Sequence, residues 1–127
     1  MAGFSDYLET AVLGHVFGGS AYTAPGTLYV ALYTAAPSDS GGGTEVSGGA
    51  YARQSSGFTV SGATASNTAA IEYATATADY GTVVAMGVFD AATSGNLLAY
   101  GTLTTSKSVS SGDVFRFNAS AIDITLT

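Results

Sequence analysis

The sequence predicts a mainly β fold: a single-domain antiparallel β-sandwich, of jelly-roll or immunoglobulin-like topology, with one short N-terminal α-helix. From residue 27 onward apolar residues recur with a period of two, as in strands that bury one face. Gly, Pro, Asn and Asp punctuate these runs, and no segment between them is long enough for a crossover helix. The 127 residues fit one domain, 1–127, with the sandwich over 27–127.

The N-terminal helix is predicted over residues 5–18. Ser5 or Asp6 is expected to cap its free N–H groups, with Glu9 in the position of a capping-box acid. Gly18–Gly19 is expected to end it, since glycine accepts a left-handed backbone. One face of this helix collects the residues with helical spacing: Leu8, Ala11, Val12, His15 and Val16.

The first predicted strand carries Leu28, Val30 and Leu32 on one face. Its other face carries Tyr29 and Tyr33, which are expected to cover a second core layer, to form a subunit interface, or to offer a platform for sugars. The same alternation predicts seven further strands: Tyr51–Gln54, Gly57–Val60, Ala70–Ala76, Thr82–Phe89, Leu97–Leu103, Val114–Asn118 and Ala121–Leu126.

Residues 36–49 form the most flexible-looking part of the sequence. They contain the glycine run 41–43 and read as one long loop. Because long loops in compact domains are often functional, this run is predicted to be an adaptable contact arm. Shorter polar turns are predicted at 90–96 and 110–113.

Charge is scarce in this chain. Only 9% of residues are charged, against about 25% in ordinary soluble domains. The basic residues are Arg53, Lys107 and Arg116, and the net charge is −6. With only three scattered cations, we expect neither a nucleic acid nor an anionic membrane as a partner. A charge-poor surface suits either a neutral β domain or a subunit that neighbouring proteins cover.

The residues that could carry chemistry do not form a catalytic set. The single histidine, His15, lies on the apolar helix face and is interpreted as a packed, hydrogen-bonded residue. Glu72 lies between Ile71 and Tyr73 in a predicted strand, on the face opposite to both. There is no cysteine, and the acids are dispersed, so the sequence predicts no enzyme, no cofactor and no metal site.

Surface contacts are therefore the predicted basis of function. No apolar run approaches the length of a membrane-spanning helix, and the N-terminus lacks the basic region of a secretory signal. The candidate interface residues are Tyr29, Tyr33, Gly41, Gly42, Gly43, Tyr51 and Arg53.

The sequence also resembles a family of small bacteriophage virion proteins that are usually labelled phage tail fibre proteins. The resemblance runs along nearly the whole chain and is carried by these segments: residues 6–9, 13–17, 21–25, 28–34, 48–54, 74–82, 87–91 and 96–101.

The resemblance implies a structural protein of the virion, without catalytic residues. Its expected place is the particle surface, as a capsid decoration or cement subunit or as a tail-fibre-associated subunit. By analogy with decoration proteins, the expected partners are further copies of the chain, as a trimer, and other virion proteins such as major capsid or tail proteins. The alternative is a carbohydrate-binding module for host-surface glycans.

Overall fold

The structure, a computed structural model, describes residues 2–126 and confirms a mainly β, sandwich-like fold with one helix. Among these residues no helix is long and apolar enough to cross a membrane. The elements in chain order are β1 Gly3–Phe4, α1 Asp6–Val16, β2 Leu28–Ala35, β3 Thr44–Glu45, β4 Gln54–Ser56, β5 Phe58–Ser61, β6 Thr64–Asn67, β7 Ile71–Glu72, β8 Gly81–Phe89, β9 Leu97–Val109, β10 Arg116–Phe117 and β11 Asp123–Thr125.

The first layer is a six-stranded antiparallel sheet. Its strand order is β1-β9-β8-β2-β3, and β4 pairs with β2 on the same side as β3. The long central strands set the register: Val30 lies opposite Val88, and Tyr33 opposite Ala85. The hairpin of β8 and β9 encloses the predicted polar loop at 90–96.

The second layer consists of two small sheets, β10-β7 and β11-β6-β5. Asn67 is fully buried in this layer and satisfies all of its side-chain polar groups. Its amide Nδ2 donates to the carbonyl oxygens of Ala69 and Asn118, each at 2.9 Å, and its Oδ1 accepts the N–H of Ile122 at 2.8 Å. This side chain therefore holds the chain between β10 and β11 against β6.

The main core lies between the two layers and is rich in aromatic rings. Tyr73 is almost fully buried, stacks on Tyr51 with ring centroids 6.2 Å apart, and meets Phe115 and Phe117 edge-on. Its hydroxyl donates to the carbonyl oxygen of Val30 at 2.7 Å. That bond satisfies the only polar atom of the side chain and ties the second layer to the central strand of the first.

Several predicted strand boundaries are wrong. Of the predicted strand Ala70–Ala76 only β7 forms. Beyond Glu72 the backbone makes isolated hydrogen bonds to the segment before β10 instead of a continuous ladder. Strand β6 was not predicted, since its sequence, TASN, lacks apolar alternation. Strand β9 continues to Val109, six residues past the predicted end, through exposed Thr, Ser and Lys side chains.

The helix is shorter than predicted and lies on the surface. Ser5 is its N-cap and accepts the N–H of Leu8 at 3.3 Å, so the capping box of Asp6 with Glu9 is wrong. The helix ends before Gly18–Gly19 as predicted, and Gly19 has φ +72°. No residue of α1 is fully buried.

The expectation that His15 packs against the core is wrong, because its side chain is exposed. The expectation of a hydrogen bond is confirmed: its Nδ1 accepts the N–H of Tyr22 at 3.1 Å. This bond fixes the turn that follows the helix.

The glycine-rich segment is held by the sheet at both ends. Pro37 and Val46 are buried, and the N–H of Val46 donates to the carbonyl oxygen of Leu32 at 2.9 Å. Strand β3 lies inside the predicted loop. A Cβ at Gly43 would lie 2.6 Å from the carbonyl oxygen of Ala35, so the chain turns here against its own backbone.

This geometry predicts that substituting two neighbouring glycines lowers the stability of the fold by different amounts. Gly42→Ala and Gly43→Ala both place a side chain at a positive φ, +77° and +73°, which costs about 1–3 kcal/mol. Gly42 has open space around it, whereas Gly43→Ala adds a backbone clash. We expect denaturant unfolding to show a clearly larger stability loss for Gly43→Ala. Equal losses would mean that the segment yields freely, as an adaptable arm would.

Candidate functional site

A polar groove of about 670 Å³ opens on the face of the main sheet that points away from the aromatic core. Three segments form it: the start of α1 with Tyr7, the glycine run 41–43, and the loop between β8 and β9 with Asn96. Glu45 and Arg53 also line it. The groove therefore gathers parts of the chain that are far apart in sequence.

Arg53 connects β3, the loop between β8 and β9, and the Phe89 ring. Its Nε and Nη2 donate to the two carboxylate oxygens of Glu45, each at 2.9 Å, which is a bidentate pair. Its Nη1 donates to the carbonyl oxygens of Ala91 at 3.0 Å and Ser94 at 2.8 Å. The guanidinium carbon stands 3.7 Å from the centre of the Phe89 ring. With only 7% of its side chain exposed, Arg53 is a nearly buried cation with its bonds made.

A second apolar cluster lies beneath this ion pair. It contains Ala31, Tyr33, Ala85 and Phe89, with Leu97 packed against it. The structure thus places Tyr33 in a second core layer, one of the three roles predicted for it. A Cβ at Gly87 would lie 2.9–3.3 Å from the Leu97, Tyr33 and Phe89 side chains, so this layer is packed directly on the sheet backbone.

Tyr51 links the ion pair to the main core. Its hydroxyl accepts the N–H of Leu32 at 3.0 Å and donates to Glu45 Oε2 at 2.8 Å. Burial and the neighbouring Glu45 carboxylate raise the pKa of the Tyr51 phenol well above its ordinary value. Burial alone would raise the pKa of Glu45, but the hydrogen bonds from Arg53 and Tyr51 lower it below its ordinary value. The site is an internal, neutralised network.

The rim of the groove holds the helix against the glycine-rich segment. The N–H of Asp6 donates to the carbonyl oxygen of Asp39 at 2.9 Å, and the Tyr100 hydroxyl donates to the Asp39 carboxylate. That carboxylate, with burial and the nearby Asp6 and Glu9, raises the pKa of the Tyr100 phenol. These bonds join the helix start and the end of β9 to the segment before the glycine run.

The structure brings most of the predicted interface residues together. Tyr33, Arg53 and the glycine run 41–43 all line the groove. Tyr51 lies behind it in the network, and Tyr29 is half-buried elsewhere on β2. Their role as contact residues remains a prediction.

A second surface, on the outer side of α1, was not predicted from the sequence. Among residues 2–126, four of the seven exposed large apolar side chains belong to the helix or its C-cap: Tyr7, Leu13, Val16 and Phe17. Leu13, Val16 and Phe17 have spacings i, i+3 and i+4, so a second helical stripe was present in the sequence. The prediction that Val16 lies on the inner helix face with Leu8 and Val12 is wrong, because its side chain is 60% exposed on the outer stripe.

His15 and Glu72 lie in different parts of the fold. His15 lies at the end of α1, whereas Glu72 pairs on the second layer with Arg116 at 3.5 Å, both side chains more than half exposed. Within residues 2–126 no three His, Cys, Asp or Glu side chains come close enough to hold a metal ion.

A family model matches almost the full length of this chain. It is described as Podophage GP4 fiber I protein gp80 and matches residues 3–125. The matched range contains the helix and all the strands described above. No curated protein matches the sequence significantly.

The network predicts that the stability of the fold depends strongly on the guanidinium of Arg53. Arg53→Met removes the cation and leaves the Glu45 carboxylate without its charge partner. Removing one partner of a fully buried ion pair costs about 3–5 kcal/mol. Because 27% of the Glu45 side chain is exposed, we expect the loss of stability here to lie between about 1 kcal/mol and that range. Arg53→Lys should be nearly as damaging, since an ammonium cannot make the bidentate pair and reach both carbonyl oxygens. Urea unfolding measures both, and a loss within 1 kcal/mol, roughly that of a surface pair, would contradict this role.

The lowered pKa of Glu45 predicts a pH dependence of stability. A carboxyl whose pKa is lower in the folded than in the unfolded state adds stability above its unfolded pKa, and this is lost as pH falls through the folded pKa. We expect the free energy of unfolding of the wild type to decline as pH falls below about 4.5. Glu45→Gln should be less stable at neutral pH and should decline less. Parallel curves for the two proteins would contradict the assignment.

Proposed function

The chain belongs to the Podophage GP4 fiber I protein gp80 family, and from this premise we propose that it is a subunit of the tail-fibre apparatus, held in the virion by contacts with other virion proteins. As a member of that family it is a phage fibre-type structural protein and a component of the virion. Attachment to the tail is the part that we propose, and the match to a fibre family supports it.

Size limits the part that one copy can play. A compact domain of 127 residues has a radius of gyration of about 14 Å. A single copy is therefore far too short to be a fibre shaft. A base, collar or tip position, in which the domain joins larger chains, fits these dimensions.

The surface chemistry supports a packing role. With 9% charged residues, the exterior has few groups that would resist being covered by a neighbour. The groove is lined by side chains that bond one another, and its Arg53 and Glu45 are committed to the internal network. Contact faces, rather than a reactive pocket, are what this domain offers.

Self-association is part of the proposal. Virion parts are built by symmetry, so several identical copies are expected around the tail axis, with a trimer expected by analogy. Capsid decoration stays the second virion role, since it uses the same surface chemistry at many more sites.

Carbohydrate recognition, the alternative from another functional class, has weaker support. It relied on the tyrosines, but Tyr33, Tyr73 and Tyr80 are buried and Tyr51 is committed to the ion-pair network. Tyr7 is exposed beside the groove, and a glycan site there would have to use that ring.

The number of copies per virion separates the two virion roles. Attachment to the tail predicts on the order of a dozen copies, because the tail offers one symmetry axis. Quantitative mass spectrometry of purified virions, with the portal and major capsid proteins as internal standards, provides the measurement. Hundreds of copies would overturn the tail assignment in favour of the head, and absence from virions would overturn the proposal altogether.

A further inference from the structure

We propose that the outer face of α1 in one copy of this chain docks into an apolar cavity on a second copy. The outer face consists of Asp6, Glu9, Thr10, Leu13, Val16 and the C-cap residue Phe17. The cavity is lined from β9 and from the second layer. This inference rests on the proposed function and deepens it, because it names the two surfaces through which the copies associate.

The apolar half of the outer face is exposed. Leu13 and Phe17 are 59% and 82% exposed, and the exposed Val16 lies beside them. With spacings i, i+3 and i+4 the three side chains share one side of the helix. Contiguous exposed apolar patches on soluble domains mark interaction sites, whereas single exposed residues do not.

The inner side of α1 holds the outer face in place. Leu8, Ala11 and Val12 are partly buried, and the helix contacts β1 and β9. Ser5 caps the N-terminus by accepting the N–H of Leu8. The outer face therefore points away from the sheet of its own copy. An amphipathic helix that lays its apolar side in a groove of another molecule is a common recognition mode.

The receiving cavity has a volume of about 260 Å³ and apolar walls. Phe115 and Phe117 of the second layer and Met86 of β8 are buried members of the main core, and the partly buried Leu103 of β9 packs against them. Small-molecule sites enclose about 300–1,000 Å³, so this cavity is smaller than such a site. Its size suits the apolar side chains of a docking helix.

The cavity lies beside an uncovered part of the sheet edge. Strand β9 advances five residues from Thr102 to Lys107 where β8 advances two, so β9 bulges next to the cavity. Strand β1 pairs with β9 only as far as Tyr100. Among the described residues no strand pairs with the outer edge of β9 beyond that point. A helix from another copy can therefore approach the cavity from this side.

The two surfaces carry opposite charges. Lys107 and Arg116 border the cavity, which brings two of the three basic residues of the chain to one place. The third, Arg53, is nearly buried in its own ion pair. On the outer face of α1, Asp6 and Glu9 are exposed in the first helical turn. Docking therefore brings two carboxylates to the two exposed cations of the chain.

The two cations are available to a docking carboxylate. Arg116 lies 3.5 Å from Glu72 with both side chains more than half exposed, and such pairs contribute little to stability. Lys107 is exposed and forms no ion pair within residues 2–126. Asp123 also borders the cavity, but its carboxylate accepts the hydroxyl of Ser66. Lys107 is therefore the cation that a docking carboxylate meets with the least competition.

The contact is heterologous because its two surfaces differ. The helix of each copy lies in the cavity of the next, and such contacts repeat around a ring when the rotation closes. A ring agrees with the several copies expected around the tail axis. The isologous alternative, two outer faces packed on each other, would place carboxylates against carboxylates or against apolar side chains, which is costly.

Sedimentation of the purified full-length protein over a range of concentrations tests the contact. The wild type should form oligomers. Leu13→Ser with Phe17→Ser should raise the dissociation constant by about tenfold or more, as expected for central apolar anchors. The matched control is Val60→Ser, since Val60 is 73% exposed on β5, and it should associate like the wild type. Equal association of the double variant and the wild type would overturn the inference.

A charge exchange tests whether the two surfaces face each other. Glu9→Lys and Lys107→Glu should each weaken association several-fold, because each places like charges at the contact. Combined in one chain, the two changes restore opposite charges between neighbouring copies and should recover most of the loss. Additive weakening in the combined variant would overturn the inference. All these side chains are exposed, so thermal unfolding should match that of the wild type.

Mixing two variants identifies the occupant of the cavity. Leu13→Ser/Phe17→Ser protein keeps its cavity, and Lys107→Glu protein keeps its apolar helix face. Lys107→Glu protein should therefore associate more weakly than the wild type, and the mixture should associate no more strongly than the wild type. Lys107→Glu protein that associates like the wild type would indicate a contact between two helix faces and overturn the inference.

Failure of this inference and failure of the proposed function are distinguishable. Wild-type protein that is present on the tail of virions but monomeric at every concentration would overturn the inference alone. Oligomers that survive all of these substitutions would also overturn it, while leaving self-association through another surface. Wild-type protein absent from virions would overturn the proposed function.

Discussion

The guanidinium of Arg53 is the interaction on which the exposed side of this domain depends. It joins the strand that carries Glu45, the loop between β8 and β9, and the Phe89 ring in the centre of the main sheet. Through Glu45 and Tyr51 the same network reaches the backbone of Leu32 and the aromatic core. Without it, β3 and the loop between β8 and β9 would lose the side chain that joins them.

This arrangement fits the scarcity of charge in the chain. A charged pair inside a domain is costly unless each group is satisfied, and here the carboxylate accepts three bonds while the cation donates four. The pair therefore uses up one of only three basic residues on internal structure. The exterior carries many Ser, Thr and Gly residues, dispersed carboxylates and exposed apolar side chains, and it has few cations.

The fold was largely predictable because its signals are local. Alternation identified β2, β8 and the start of β9, and the glycine pair after residue 17 ended the helix. Elements held by tertiary bonds gave no such signal. Strand β6 is polar, and β7 is short because its continuation bonds irregularly to the segment before β10.

The residues of the candidate site could be predicted from the sequence, but what they do there could not. Tyr33, Arg53 and the glycine run were identified as surface contacts, yet Arg53 and Tyr33 are mainly internal. Only the fold shows that Glu45 lies opposite Arg53. The outer stripe of α1 could have been found from spacing alone, but whether Leu13 or Leu8 faces the sheet depends on packing that no single sequence displays.

The central proposal is that this domain is a subunit of the tail-fibre apparatus, held in the virion by contacts with other virion proteins. Electron cryo-microscopy of intact virions tests it most directly, because this fold can be located in the density and its neighbours identified. We predict that the domain is found on the tail, in contact with other virion proteins. Density for this fold on the head alone, or nowhere in the virion, would contradict the proposal.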